Sequence, residues 1–205
     1  MSTNTSTSTS TTARRPLFAR ALLALAAAAV IGLAPALPAS AATGAQTGEW
    51  DVVAASAAQS PRLQSYDHEN EAWGTVTSPD AWFAVGSGKV IDQAEDATTP
   101  VSGGGLRFQN TAAGARTATF TFRIPANVGL KIANGTTTVV DSAATGSART
   151  VSWTTPSVAA GATYHEHLTW TFSGSGTSSA ADIGVSVAVG GAGGFSASTT
   201  YRFTF

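Results

Sequence analysis

From Leu106 to the end of the chain, short runs carry apolar side chains at every second position. Phe120, Phe122 and Ile124 alternate with Thr121 and Arg123; Leu168, Trp170 and Phe172 alternate with Thr169 and Thr171. The same spacing holds for Leu106 and Phe108, for Val128, Leu130 and Ile132, and for Val151 and Trp153. It returns in Ile183, Val185, Val187 and Val189, and closes the chain at Tyr201, Phe203 and Phe205. A period of two means strands with one buried and one wet face. Pro125, Asn134-Gly135, Pro156 with Ala159–Gly161, and Gly190–Gly194 punctuate these runs as turns. Strands of this length between turn signals spell an all-β sandwich or barrel. Thr150–Ser173 reads as two neighbouring strands that put Trp153 and Trp170 in the core. At Asn134-Gly135 a two-residue turn is expected, with Ile132 facing Thr137 and Leu130 facing Val139.

The N-terminus follows different rules. Arg14, Arg15 and Arg20 precede an apolar run, Ala21–Leu37, which Pro35 and Pro38 cut short of a membrane span. Ala39-Ser40-Ala41 then supplies the small residues of a cleavage site. Residues 1–41 are therefore expected to be a cleavable signal peptide, with Arg14-Arg15 leaving general or twin-arginine export open. A secreted or cell-surface location follows.

All 12 acidic residues lie after the signal, whereas three of the 11 basic ones lie within it. The exported part is thus mildly acidic and has no Lys/Arg cluster, so no nucleic-acid partner is expected. With no cysteine, no disulfide helps the fold. At this size burial suffices, because a domain of about 150 residues removes around 70% of its unfolded surface from water. Residues 42–105 read as strands and loops packed on a sandwich core formed by 106–205. Glu49–Ala54 is a candidate strand, Tyr66–Val85 the least regular segment, and Lys89–Ser102 a surface loop.

One resemblance bears on the sandwich type. It runs through Phe108-Gln109-Asn110, Phe120-Thr121-Phe122-Arg123-Ile124-Pro125, Val151-Ser152-Trp153-Thr154 and Pro156–Ala162. Residues 108–173 resemble the immunoglobulin-like repeats of bacterial surface proteins, of the DUF11 and CARDB kinds. The resemblance implies an antiparallel immunoglobulin-like β-sandwich with a structural, adhesive or binding role and no reaction of its own. The chain departs from the pattern in having one copy instead of a tandem array, and Tyr66–Val85 has no counterpart.

Three groups of residues are candidates for function. His165 and His167 lie two apart on a strand, so both imidazoles share one face and are candidate metal ligands. The apolar set Leu168, Trp170 and Phe172 makes that face the wet one. Glu166 falls on the apolar face by the same parity, where it either reaches water near the strand end or pairs with Arg107 or Arg123. Asp67, Glu69 and Glu71 also alternate and could gather calcium, though the EF-hand spacing is not met; no other cofactor is expected. Tyr66, Trp73 and Trp82 could form a platform for sugar rings, with Asp67, Glu69 or Asp80 accepting hydroxyl hydrogen bonds. The alternative is that these rings cap one end of the core.

Standard catalytic signatures do not occur: there is no G-x-S-x-G, no H-E-x-x-H and no cysteine nucleophile. Gly86-Ser87-Gly88-Lys89 fails the phosphate-loop pattern at both ends. His68, near Asp67 and Asp80, is the one histidine placed for a Ser–His–Asp set. The expectation is a secreted, non-enzymatic module that binds extracellular polysaccharide or other surface proteins. A carbohydrate-binding module using Trp73 and Trp82, and a small hydrolase centred on His68, are its rivals.

Overall fold

The computed structural model describes residues 40–41, 44–57, 62–76, 81–94, 100–191 and 194–205. Residues 1–39 of the expected signal peptide, and Asp80 with its Ser78-Pro79 turn, lie outside them. Among the described residues the fold is all-β, with two single 3-10 turns and no α-helix. No helix among them is long and apolar enough to cross a membrane.

In chain order the strands begin β1 (Ser40–Ala41), β2 (Gly44–Gln46), β3 (Gly48–Ser56), β4 (Arg62–Asp67), β5 (Ala72–Thr75) and β6 (Ala81–Ala84). Next come β7 (Val90–Ile91), β8 (Val101–Ser102), β9 (Gly105–Gln109), β10 (Ala118–Ile124), β11 (Gly129–Ala133) and β12 (Thr138–Ser142). The last are β13 (Arg149–Thr154), β14 (Thr163–His167), β15 (Thr169–Ser173), β16 (Ala180–Val189) and β17 (Phe195–Thr204).

These strands form a sandwich-like set of sheets. The first sheet has the order β1-β5-β4-β3-β9-β14, with β8 also paired to β3; the second runs β13-β10-β16-β17-β6-β2; the third runs β12-β11-β15-β7. Their apolar faces meet in one core, with Phe83, Phe108, Phe120, Phe122, Trp170 and Phe203 fully buried. Tyr201 reaches out of the second sheet to the first, and its buried hydroxyl donates to the Gln64 carbonyl at 2.7 Å.

The alternating pattern is realised most plainly in β10, whose even positions are buried while its odd ones are not. The sheets differ from the expected antiparallel arrangement in being mixed. β3 pairs parallel with β9, and β6 pairs parallel with both β2 and β17. A long excursion through β4–β8 separates β3 from β9, which lets the chain return in the same direction. β3 is also buried on both faces and bulged: Asp51 pairs with Tyr66, but Ala54 pairs with Gln64, one residue out of step. Such bulges re-aim side chains locally.

Three local expectations are corrected. Thr150–Ser173 does not supply two neighbouring strands: β13 joins the second sheet, β14 the first and β15 the third, the chain changing sheets once between Thr154 and Thr163 and again at buried Leu168. Only Trp170 of the two indoles is fully buried; Trp153 is half-buried on the edge strand β13, against Tyr164. At Asn134 the hairpin is wider than two residues, so Ile132 pairs with Val140 and Leu130 with Ser142. A bulge between Ile132 and Ala133 contributes one step, and the Asn134 side chain accompanies the wider bend. Its Oδ1 accepts from the Thr136 and Thr137 amides at 2.9 and 2.7 Å, an Asx turn that takes extra residues into the bend.

Candidate metal centre

The first sheet brings four remote side chains to one point. β14 pairs antiparallel with β9, setting His165 opposite Arg107 and His167 opposite Gly105. β9 in turn pairs parallel with β3, which carries Asp51, and β4 on the far side of β3 ends just before His68. One ligand atom from each of Asp51, His68, His165 and His167 lies within 4.8 Å of the others.

Gly105 makes this convergence sterically feasible. It stands between the strands that carry Asp51 and His167, and a Cβ there would come within 1.8 Å of Asp51 Oδ1. Any side chain at this position would push the carboxylate out of place. The neighbouring residue is held from below, since the Trp170 indole donates to the Gly104 carbonyl at 2.7 Å. Core and site are thus joined through Gly104-Gly105.

Asp51 is wholly buried, a costly place for a carboxylate unless charge or hydrogen bonds compensate. His165 Nε2 stands 2.7 Å from its Oδ1, and His68 Nε2 3.1 Å from its Oδ2. Arg107 approaches the same Oδ2 at 3.5 Å. Despite these short separations, neither carboxylate oxygen meets the geometry of a well-directed hydrogen bond. The three rings pack on one another as well, with His165 4.4 Å from His167 and stacked 5.0 Å from His68, centre to centre.

Three imidazoles and one carboxylate, with no thiolate, make a donor set suited to zinc and to other first-row divalent ions. Donors around zinc at about 2.0–2.1 Å stand roughly 3.3 Å apart, so small side-chain rotations would close the cluster on the ion. Ring exposure sets the direction of access. Side chains of His165 and His68 are 30% and 20% exposed, whereas that of Asp51 is at 0%.

Titration follows from this geometry. Burial alone would raise the Asp51 carboxyl, but attraction from His165 and His68 outweighs it and holds the pKa below the usual 3.8. Asp51 in turn raises His68 above its usual 6.5, against the opposing effect of burial. A lowered carboxyl contributes stability above its unfolded value that is lost as pH falls through the folded one; a raised imidazole contributes below its unfolded value and loses it as pH rises. The metal-free protein is therefore expected to be most stable between the ordinary values of 3.8 and 6.5. Metal affinity should instead climb as pH rises through the imidazole range, because protons compete for the same nitrogens. Thermal unfolding across pH, with and without zinc, checks both; a metal-free midpoint still rising above the imidazole range would contradict the first.

Among the sequence candidates, His165 and His167 fall inside this cluster, and sequence reasoning missed Asp51 and His68 as their companions. A signal existed in Glu49–Ala54, where Asp51 interrupts an otherwise apolar run and so demands a partner. Of the groups near His68, its Nδ1 faces Glu49 at 3.4 Å and its Nε2 faces Asp51 at 3.1 Å, while Asp80 lies outside the described residues. Glu166 does not meet Arg107 or Arg123; it accepts from the Tyr164 hydroxyl and from Asn134 Nδ2 instead. Asp67 caps its own turn, accepting from the Glu69 and Asn70 amides, and Glu69 and Glu71 are exposed beside it.

The aromatic residues do not form one platform. Trp73 and Tyr66 pack edge to face on the first sheet, 5.7 Å apart and 77° from coplanar, while half-buried Trp82 sits on β6 in the second. A guanidinium group stacks on each of the two first-sheet rings: Arg107 lies 4.1 Å over Tyr66, and Arg62 lies 5.3 Å over Trp73. No protein-family model matches the chain, and no curated protein or solved structure gives a match.

Proposed function

We propose that the protein is an exported, immunoglobulin-like β-sandwich module whose first sheet binds one divalent transition-metal ion through Asp51, His68, His165 and His167. The observation that carries this reading is the convergence of four ligand atoms within 4.8 Å, one of them on a wholly buried carboxylate. Export is supported by the basic segment, apolar run and Ala39-Ser40-Ala41 of the N-terminus. The role is binding: the four side chains hold an ion, and both nitrogens of His68 face carboxylates. Calorimetric titration of chelator-treated protein with zinc tests it. One ion per chain, with proton release on binding, is expected; absence of saturable uptake refutes the reading.

A second reading keeps the sugar hypothesis in reduced form. Trp73, Asp67, Asn70 and Gln46 line a cavity of about 310 Å³ beside the first sheet, at the lower end of ligand-site volumes. Retention on polysaccharide that vanishes in Trp73→Ala, with unfolding unchanged, would favour it over the metal reading.

A further inference from the structure

Arg107 stands at the mouth of the metal cluster with more donor capacity than its surroundings use. A guanidinium offers five N–H donors in a planar fork. Its approach to Asp51 is long, 3.5 Å from one terminal nitrogen, and its buried Nε has no directed hydrogen-bond partner. The plane is fixed by stacking 4.1 Å over Tyr66, a ring that also abuts His68. The side chain keeps 17% of its surface exposed, and Arg107 stands directly opposite His165 in the β9–β14 register, so the two side chains leave the same face of the sheet.

Charge balance points to an anion. Asp51 and Glu49 bring two negative charges, and Arg107 brings one positive. A divalent ion bound by neutral imidazoles therefore leaves the loaded centre net positive. Four protein donors fill a tetrahedral zinc shell, whereas first-row ions that adopt octahedral geometry keep positions open for a further ligand. Arginine forks match the two oxygens of a carboxylate or phosphate group.

We propose that the metal-loaded centre takes a small oxyanion, a carboxylate or phosphate group, as an exogenous ligand that bridges the metal ion and Arg107. This rests on the metal reading above. It extends that reading from an ion-holding site to one that presents the ion to an anionic partner, the charged end of a small molecule or of another chain.

The test uses cobalt(II), whose visible spectrum reports the number and geometry of its ligands. The cobalt-loaded protein is titrated separately with acetate and with inorganic phosphate. A saturable spectral change with either supports the inference and says which oxyanion is preferred. Arg107→Met should weaken that anion by roughly tenfold or more. The same change should tighten cobalt, since it removes a cation beside Asp51, and a merely structural role would not produce those opposite signs. Arg107→Lys keeps the charge without the fork and should fall between; it carries the test if the methionine variant does not fold. Three results overturn the inference alone: a spectrum indifferent to both anions, an Arg107→Met protein that binds anion like the parent, or equal loss of cobalt and anion. Failure to retain cobalt at all overturns the metal reading, and this inference with it.

Discussion

Replacing His167 with alanine should lower affinity for zinc by a hundredfold or more, and His165→Ala should do the same. Loss of a residue that only orients a metal ligand typically costs about ten- to a hundredfold, and loss of the ligand itself exceeds that. The two imidazoles project from one face of β14, and removing either leaves three donors of the four that converge there. His167→Ala should leave the metal-free fold nearly as stable, because that ring is partly exposed, whereas His165→Ala also removes a partner of buried Asp51 and should cost stability. Glu69→Gln provides the control: it removes an exposed carboxylate outside the cluster and should leave affinity near the parent value. Competition against a chromophoric chelator measures all three. Parent-like affinity in both histidine variants would mean the cluster does not hold the ion.

Trp170→Ala should have the largest effect on stability, about 3–5 kcal/mol, the range for deleting a fully buried large aromatic side chain. The indole is wholly buried, meeting Phe122 edge-on at 6.1 Å and Phe203 at 5.6 Å. Its loss also leaves the Gly104 carbonyl without its 2.7 Å donor. Gly105, next in the chain, is the residue on which the Asp51 carboxylate rests, so weaker metal binding should accompany the lost stability. Trp153→Ala should cost less, about 1–2 kcal/mol, since that ring is half-buried on an edge strand. Urea unfolding of the metal-free proteins compares them; equal midpoints for the two tryptophan variants would contradict this placement of the core.

These expectations draw on the sequence to different depths. Alternation in β10, β16 and β17 survives into the structure because each of these strands has one face on the core, and that condition writes itself into every second residue. β3 escapes such reading. Buried on both faces and bulged after Asp51, it shows a run of Val and Ala in place of a period. The turn at Asn134 was readable as a turn but not in its width, which goes with a bulge after Ile132 and an asparagine side chain that caps two amides. At the metal cluster, His165 and His167 announce themselves by spacing along one strand. Asp51 and His68 do not, because parallel pairing of β3 with β9 brings them there across a large sequence separation. Such pairing leaves no short-range mark. Gly105 is silent for a different reason: its importance is the space its missing side chain leaves to Asp51.

X-ray absorption at the zinc edge of the zinc-loaded protein addresses the central claim most directly. A first shell of nitrogen and oxygen at about 2.0–2.1 Å, with outer-shell scattering from three imidazoles, is the expected result. A shell with one imidazole or none would contradict it, and would leave Asp51 buried beside three histidines for some other purpose.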